Sequence, residues 1–304
     1  MYGVIDIGSN TIRLAVYEVE NKEIKLLFNK KSAASLASYV DKEGALSTKG
    51  IHKAISVLKD FKIFADNLPL AQLFVFATAS LRNITNSESA VAQISQKTGL
   101  AIDLVSGEQE GIYDFFGVSL QTQLNTGLLI DIGGGSTEFV VYQDGVIEKS
   151  VSIPIGSLNL HKKYVKGVLP SQKEVQKICK RINKELETIS GIQAAPLLYG
   201  VGGTLRAACK LNNQLFDLPS DCNKIKLKSL QEIILGFSGN ARIVIQKMLE
   251  STPERIHTIF PGILILHEIC KKFDTKIIYV SSYGIREGYL FTKLFSEEDN
   301  HVRI

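Results

Sequence analysis

The chain has 304 residues, 45% hydrophobic and 22% charged, the balance of a globular protein long enough to build two separate cores. Its 35 Lys+Arg against 31 Asp+Glu leave a net charge of +4, compatible with a polyanionic ligand without demanding one, and no nucleic-acid partner is expected. No apolar run approaches the roughly 20 residues that span a bilayer, no secretory leader precedes the first strand, and the 4 cysteines lack Cys-x-x-Cys spacing; a cytoplasmic protein with reduced thiols is expected, without membrane partner, zinc site or disulfides.

Residues 4–7 and 12–19 read as two strands of a hairpin, 20–23 as a polar turn, 24–28 as a third strand and 30–43 as a loop. Ser47 caps a helix with Ile51, Ala54, Leu58 and Phe61 on one face. A buried strand at 73–77 ends in Thr78-Ala-Ser-Leu-Arg-Asn83, and a helix from Asn86 closes at Gly99. A strand at 101–105 leads into Ser106-Gly-Glu-Gln-Glu-Gly111 and a helix to about Leu120. The polar stretch 121–126 is the predicted domain boundary, dividing the chain into 1–123 and 124–304.

The second part opens with strand 128–132, then Gly133-Gly-Gly135, then the apolar run 139–142 with a tight turn at Asp144-Gly145. The meander continues over 146–155. Ser171 and Glu174 form a capping box ahead of a helix carrying Val175, Ile178, Ile182, Leu186 and Ile189. Strand 196–201 ends in Gly200-Val-Gly-Gly-Thr204, followed by helices at 205–211, 230–235, 242–249 and from Pro261. A last strand at 277–281 precedes Tyr283-Gly-Ile-Arg-Glu-Gly288 and a terminal helix. Strands alternating with helices predict an α/β fold with mixed sheets.

One segment occurs twice. Ile5, Asp6, Ile7, Gly8, Val16 and Tyr17 recur without a gap as Ile130, Asp131, Ile132, Gly133, Val141 and Tyr142, at an offset of 125 residues; at the same offset Thr11 falls on Ser136 and Arg13 on Glu138. This predicts two similar domains whose glycine turns face each other across a cleft lined with N–H groups, hydroxyls and acids. Such a cleft suits a phosphate, with acids at hand for a divalent cation.

Other polar groups fall at strand ends, where α/β sheets place their ligands. Arg82 is placed either to grip phosphate oxygens or to pair with Glu88 on the surface. Glu108 and Glu110 are each placed to serve as a general base or merely to offset a helix dipole, and position alone does not choose. Gly200–Thr204 suits an anion at a helix N-terminus or close helix–sheet packing equally well. The histidines show no ligand spacing.

Six ordered motifs together resemble the exopolyphosphatase / guanosine pentaphosphate phosphohydrolase (Ppx/GppA) family of the actin-like ATPase superfamily. They are Asp6-Ile-Gly-Ser-Asn10, Ala77-Thr-Ala-Ser-Leu-Arg82, Ser106-Gly-Glu-Gln-Glu110, residues 131–138, Gly200-Val-Gly-Gly-Thr204 and Arg286-Glu-Gly288. The resemblance covers nearly the whole chain. It implies two ribonuclease H-like domains around a central cleft, the terminal helix packing back on the first domain. It further implies Mg2+- or Mn2+-dependent release of terminal phosphate from inorganic polyphosphate, with guanosine pentaphosphate hydrolysis or a non-catalytic sensor as alternatives. By the same resemblance Glu110 activates the attacking water and Arg82 holds the phosphate. Asp131, Glu138 and Asp6 form the metal set. Ser9, Asn10, Gly133, Gly134, Ser136, Thr137, Gly202 and Gly203 form the phosphate site. This chain departs from the family at Gln109, where a second acid is usual, at Ser35 and at Ser282. It also lacks the helical C-terminal domains of long members, so it is expected to prefer short chains or to hold long ones as a homodimer.

Overall fold

The repeated segments fold as two hairpins in the same register. Strand β1 (Tyr2–Ile7) pairs antiparallel with β2 (Ile12–Glu20), setting Asp6 opposite Arg13. Strand β6 (Gly127–Ile132) pairs with β7 (Thr137–Gln143), setting Asp131 opposite Glu138. Each hairpin continues into a third strand, β3 (Glu23–Ser32) or β8 (Val146–Ile153), and the register slips at equivalent places, between Val16 and Tyr17 and between Val141 and Tyr142. A bulge twists its strand pair, so curvature is repeated along with residues.

This computed structural model describes residues 1–192, 194–239 and 241–295. The first sheet has the order β3-β2-β1-β4-β5, with β4 (Gln72–Ala77) and β5 (Asp103–Leu104) added in parallel. The second has the order β10-β11-β9-β6-β7-β8, with β9 (Leu197–Val201) and β11 (Ile277–Val280) parallel to β6 and a short antiparallel edge, β10 (Lys224–Lys226). Strand β3 outruns the expected end at residue 28. Its continuation, Asn29-Lys-Lys31, is an exposed edge where lysines deter further pairing and no apolar alternation marks a strand. Conversely β5 is shorter than 101–105, because it pairs only with the last two residues of β4.

Each sheet is covered on both faces. Helices α1 (Thr48–Asp66) and α3 (Ser87–Thr98) bury Ile51, Leu58, Phe61 and Ile94 against Ile5, Ile7 and Leu14 of the first sheet. Behind the second sheet lie α6 (Gln172–Leu186), α7 (Gly202–Leu215) and α10 (Ile259–Lys272), with α8 (Leu227–Gly239) and α9 (Ala241–Ser251) outside them. Helix α10 begins two residues before Pro261, which sits in the first turn, where its missing N–H has no intrahelical partner to lose. The short α2 (Ala79–Arg82) and α5 (Ser157–Tyr164) were not anticipated; α5 buries only Ser157 and Leu160, too few residues to show a period.

The remaining two faces are covered by exchange. Helix α4 (Gly107–Ser119), which precedes the linker, buries Phe115 and Val118 against Leu129, Val140 and Tyr142 of the second sheet. Helix α11 (Ile285–Phe295), which follows the second sheet, buries Tyr289 and Leu290 against Val4, Ala15, Tyr17 and Phe76 of the first. The two helices pack on each other between the sheets. A Cβ at Gly288 would run into the backbone carbonyl of Tyr113, and one at Gly117 into the backbone of Gly284. Among the described residues no helix is long and apolar enough to cross a membrane.

Candidate active site

The two glycine turns face each other. The Gly8 N–H donates to the Thr11 carbonyl at 3.1 Å and the Gly133 N–H to the Ser136 carbonyl at 2.9 Å, the same closure in both hairpins. Ser9 lies directly against the second turn: its Cβ would stand 3.5 Å from a Cβ built on Gly134. Between and below the turns is a cavity of about 150 Å³. The start of α5 braces one side of the second turn. The N–H groups of Ser157 and Leu158 donate to the carbonyls of Gly133 and Gly134 at 2.9 and 3.0 Å, and Asn159 Nδ2 donates to that of Gly135 at 3.1 Å. With these carbonyls committed to α5, the turn can offer the N–H groups that follow Gly133 to an anion.

The acids of the cavity are unequal. Asp131 lines it with a buried Oδ1 that has no hydrogen-bond partner, and burial first of all pushes its pKa up to about 6, with Arg206 pulling the other way. Directly across the hairpin, Glu138 is buried and does not line the cavity; it accepts a hydrogen bond from Ser152 Oγ at 2.8 Å, and burial, then Asp131, pushes it up to about 7. Like charges opposite each other in an antiparallel pair repel, and a cation beside this pair would relieve that repulsion. The equivalent pair in the first hairpin is already neutralised: Asp6 stands opposite Arg13 and is bonded to Arg286 Nη1 at 3.3 Å. A divalent cation therefore fits Asp131 and Glu138 by chemistry, while Asp6 is held by an arginine. No three acids among the described residues stand close enough to cage an ion alone. That suits Mg2+ or Mn2+, which keeps several waters and takes its remaining oxygens from substrate phosphate.

Burial separates the two candidate bases that position could not. At the start of α4, Glu108 and Gln109 are exposed, whereas Glu110 is 7% exposed and lines the cavity. Gln109 closes a capping box with Ser106: its Oε1 accepts from the Ser106 N–H at 2.9 Å and its own N–H donates to Ser106 Oγ at 3.1 Å. Arg82 does not line the cavity. It lies behind Glu110, forming an ion pair with Glu110 Oε1 and donating to the Val105 carbonyl at 2.7 Å, and does not pair with Glu88. Burial and then Glu138 drive the Glu110 pKa well up, and Arg82 opposes them.

The other predicted positions divide. Ser9, Asn10, Gly133, Gly134 and Ser136 line the cavity. Thr137 does not; its hydroxyl donates to the Ile155 carbonyl at 2.6 Å and anchors the strand after the turn. Gly202 and Gly203 line the cavity by making room. A Cβ on Gly202, whose φ is +83°, would collide with the Asp131 carboxylate, and one on Gly203 with the Arg255 guanidinium.

Five charged cavity residues had no role assigned from sequence. Arg13, Arg206, Arg255 and Arg286 form a basic wall, dense enough that burial and then Arg286 pull the Arg13 pKa down to about 10. Asp114 stands one turn beyond Glu110 on α4, and its spacing was the available signal. Burial, then Asp131, Glu138 and Glu110, raises its pKa well above the carboxylate range. Arg13 was visible as the partner of Asp6 across the hairpin; Arg255 comes from a short turn far along the chain and carried no signal. No aromatic side chain among the described residues lines the cavity.

Comparison with known proteins agrees with this architecture. A sequence profile of the Ppx/GppA phosphatase family matches residues 15–297. Exopolyphosphatase 1 of Mycobacterium bovis is 25% identical over 311 residues, covering 99% of this chain and 90% of its own. The crystal structure of the Aquifex aeolicus member of the Ppx/GppA family has a TM-score of 0.81 at 23% identity, covering 98% of this chain and 99% of that one. That of an exopolyphosphatase from Cytophaga hutchinsonii has a TM-score of 0.82 at 22% identity, covering 97% and 98%. The two structures establish the fold, a pair of actin-like ATPase domains.

Proposed function

The chain belongs to the Ppx/GppA phosphatase family and is a phosphoanhydride hydrolase; from that premise we propose that its substrate is inorganic polyphosphate, shortened one terminal phosphate at a time. The observation that carries this reading is the lining of the cavity: two glycine turns, a cluster of acids, four arginines and no aromatic side chain among the described residues. Polyphosphate is charge repeated along a chain, which arginines match. A guanine base would call for a stacking or apolar surface, and Gly202 and Gly203, where a nucleotide-binding relative would need one, adjoin Arg206 and Arg255.

The charges run in order. Glu110 interacts with Arg82, Glu138 and Asp131, whereas Asp131 interacts with Arg206, Arg255 and Arg286. In our reading the terminal phosphate sits at the glycine turns and the rest of the chain lies along the arginines. Glu110 accepts a proton from a water as its oxygen attacks the terminal phosphorus. The bond from that phosphorus to the bridging oxygen breaks, and the shortened chain leaves with the oxygen and its negative charge. Arg82 holds Glu110 in its ionised form and in place. The turn N–H groups and Ser136 stabilise the charge spread over the transferred oxygens. Asp131 and Glu138 would hold a divalent cation, which supplies charge neutralisation at the phosphate oxygens.

The test is release of inorganic phosphate from short polyphosphate, long polyphosphate and guanosine pentaphosphate, each with Mg2+ and with chelator. Metal-dependent release ranked in favour of polyphosphate is the expected result. Faster release from guanosine pentaphosphate would replace the substrate, and release undiminished by chelator would remove the cation.

A further inference from the structure

Asp114 has no place in the reaction as described, yet it is among the most deeply buried charged groups of the protein, 1% exposed. It lies on the cavity-facing side of α4, one helical turn after Glu110. Neither of its carboxylate oxygens has a hydrogen-bond partner of good geometry, and a weak hydrogen bond from the Ile285 N–H at the start of α11 is what opposes its burial. Asp131 Oδ1, in the same cavity, is buried and unpartnered too. Burying a carboxylate with so little compensation costs several kcal/mol unless it is protonated or meets a positive charge, and a cation between these two acids would supply that charge.

The backbone is shaped to admit both groups. Strands β9 and β11 are parallel neighbours, and each is followed closely by a glycine, Gly202 after β9 and Gly284 after β11. A Cβ on Gly202 would strike the Asp131 carboxylate, and a Cβ on Gly284 would stand 3.0 Å from Asp114 Oδ1 while crowding Val201. Side chains are thus withheld at two adjacent strand ends where two carboxylates enter. The arginines of the cavity act on Asp131 rather than on Asp114, whose strongest charged neighbours are Asp131, Glu138 and Glu110.

We propose that Asp114 is a further acid of the divalent-cation site, a positioning residue that faces Asp131 across the cavity and accepts hydrogen bonds from waters bound to the ion. The proposal rests on the reading that Asp131 and Glu138 hold the cation. An outer contact of this kind agrees with the absence, among the described residues, of three acids near enough to ligate one ion directly. Groups that orient a metal's bound waters typically change its affinity by about 10–100-fold.

The experiment is Mn2+ binding, followed by calorimetry and by electron paramagnetic resonance, with and without methylenediphosphonate as a non-hydrolysable phosphoanhydride. Wild type is compared with Asp114→Asn, which keeps shape and loses charge, and Asp114→Ser, which relieves crowding should the amide disturb folding. Circular dichroism confirms the fold of each. The expected result is weaker Mn2+ binding by about tenfold or more in a folded Asp114 variant, with an altered Mn2+ spectrum. Unchanged affinity and spectrum, no Mn2+ binding by wild type in either condition, or failure of both variants to fold would overturn it, the last showing that the acid is structural. Because binding is read without turnover, a wrong substrate assignment would appear separately, as wild-type protein that binds Mn2+ and leaves polyphosphate intact.

Discussion

Glu110 is held between two opposing forces. Burial and the neighbouring Glu138 favour its protonated form, and Arg82 favours its ionised form. A general base must be ionised to accept a proton. Removing the guanidinium therefore raises the Glu110 pKa, and the pH below which activity is lost moves upward. For Arg82→Met we expect the acid limb of the pH–rate profile to shift up by roughly a unit or more, while Glu110→Gln lowers phosphate release about 10²–10⁴-fold at every pH. Profiles from about pH 5 to about pH 9 check both, and an acid limb that stays in place without Arg82 would contradict the coupling. Gln109 points to the opposite outcome. It is exposed and its work is to cap α4, which a glutamate does equally well. Gln109→Glu should leave the rate within about twofold and stability within about 0.5 kcal/mol; a large gain in rate would place this position in the chemistry. Position alone did not separate Glu108 from Glu110, because both belong to a helix's first turn, and it was the resemblance that assigned the role to Glu110. Only the packing of α4 against the second sheet decides which one faces inward.

Among the elements, the Arg286-Glu-Gly288 motif shows three successive residues fastening one helix to three places. Arg286 bonds Asp6 of β1 at 3.3 Å, Glu287 accepts from the Tyr17 hydroxyl of β2 at 2.6 Å and from the Gly284 N–H at 2.9 Å, and Gly288 meets the backbone of α4. The motif's presence was legible in the sequence, but its partners were not: Tyr17 and Asp6 lie 270 and 280 residues away along the chain, and α4 lies on the far side of the linker. Periodicity revealed the elements with a buried face, such as α6 with Ile178, Ile182 and Leu186. It missed α5, whose importance lies in backbone bonds to the glycine turn rather than in apolar contact. A methyl group at Gly288 has backbone, not a yielding side chain, in its way. Gly288→Ala should destabilise the protein by about 1–3 kcal/mol and, by moving Arg286, reduce phosphate release as well. Denaturant midpoints and turnover measured together test this; an unchanged midpoint would show that α4 and α11 can move apart freely.

For the whole molecule, the exchange of helices means that a cut at the boundary read from sequence leaves each sheet without one of its covering helices. Residues 121–126 do separate the two sheets, as the polar composition suggested, and Gln121 ties that linker to the approach of α11 through bonds to Ser282 Oγ at 2.9 Å and the Tyr283 N–H at 3.3 Å. Yet a fragment of residues 1–123 would carry α4 without the sheet it covers and would expose Val4, Tyr17 and Phe76 where Tyr289 and Leu290 now lie. A fragment of 124–304 would carry α11 and expose Leu129, Val140 and Tyr142. Each buried aromatic or branched side chain uncovered costs about 1.5–3 kcal/mol, so three on one face cost an amount comparable with the roughly 5–15 kcal/mol that holds a whole domain folded. Neither fragment should therefore give a soluble, cooperatively unfolding protein alone, and the two produced together should assemble through α4 and α11 and recover metal-dependent phosphate release. A fragment that folds by itself would mean that the exchanged helices decorate two complete domains. Recovery only on co-production would mean that the cleft and the fold are one structure, Glu110 of α4 and Arg286 of α11 being carried into the cavity by the same two helices that complete the cores.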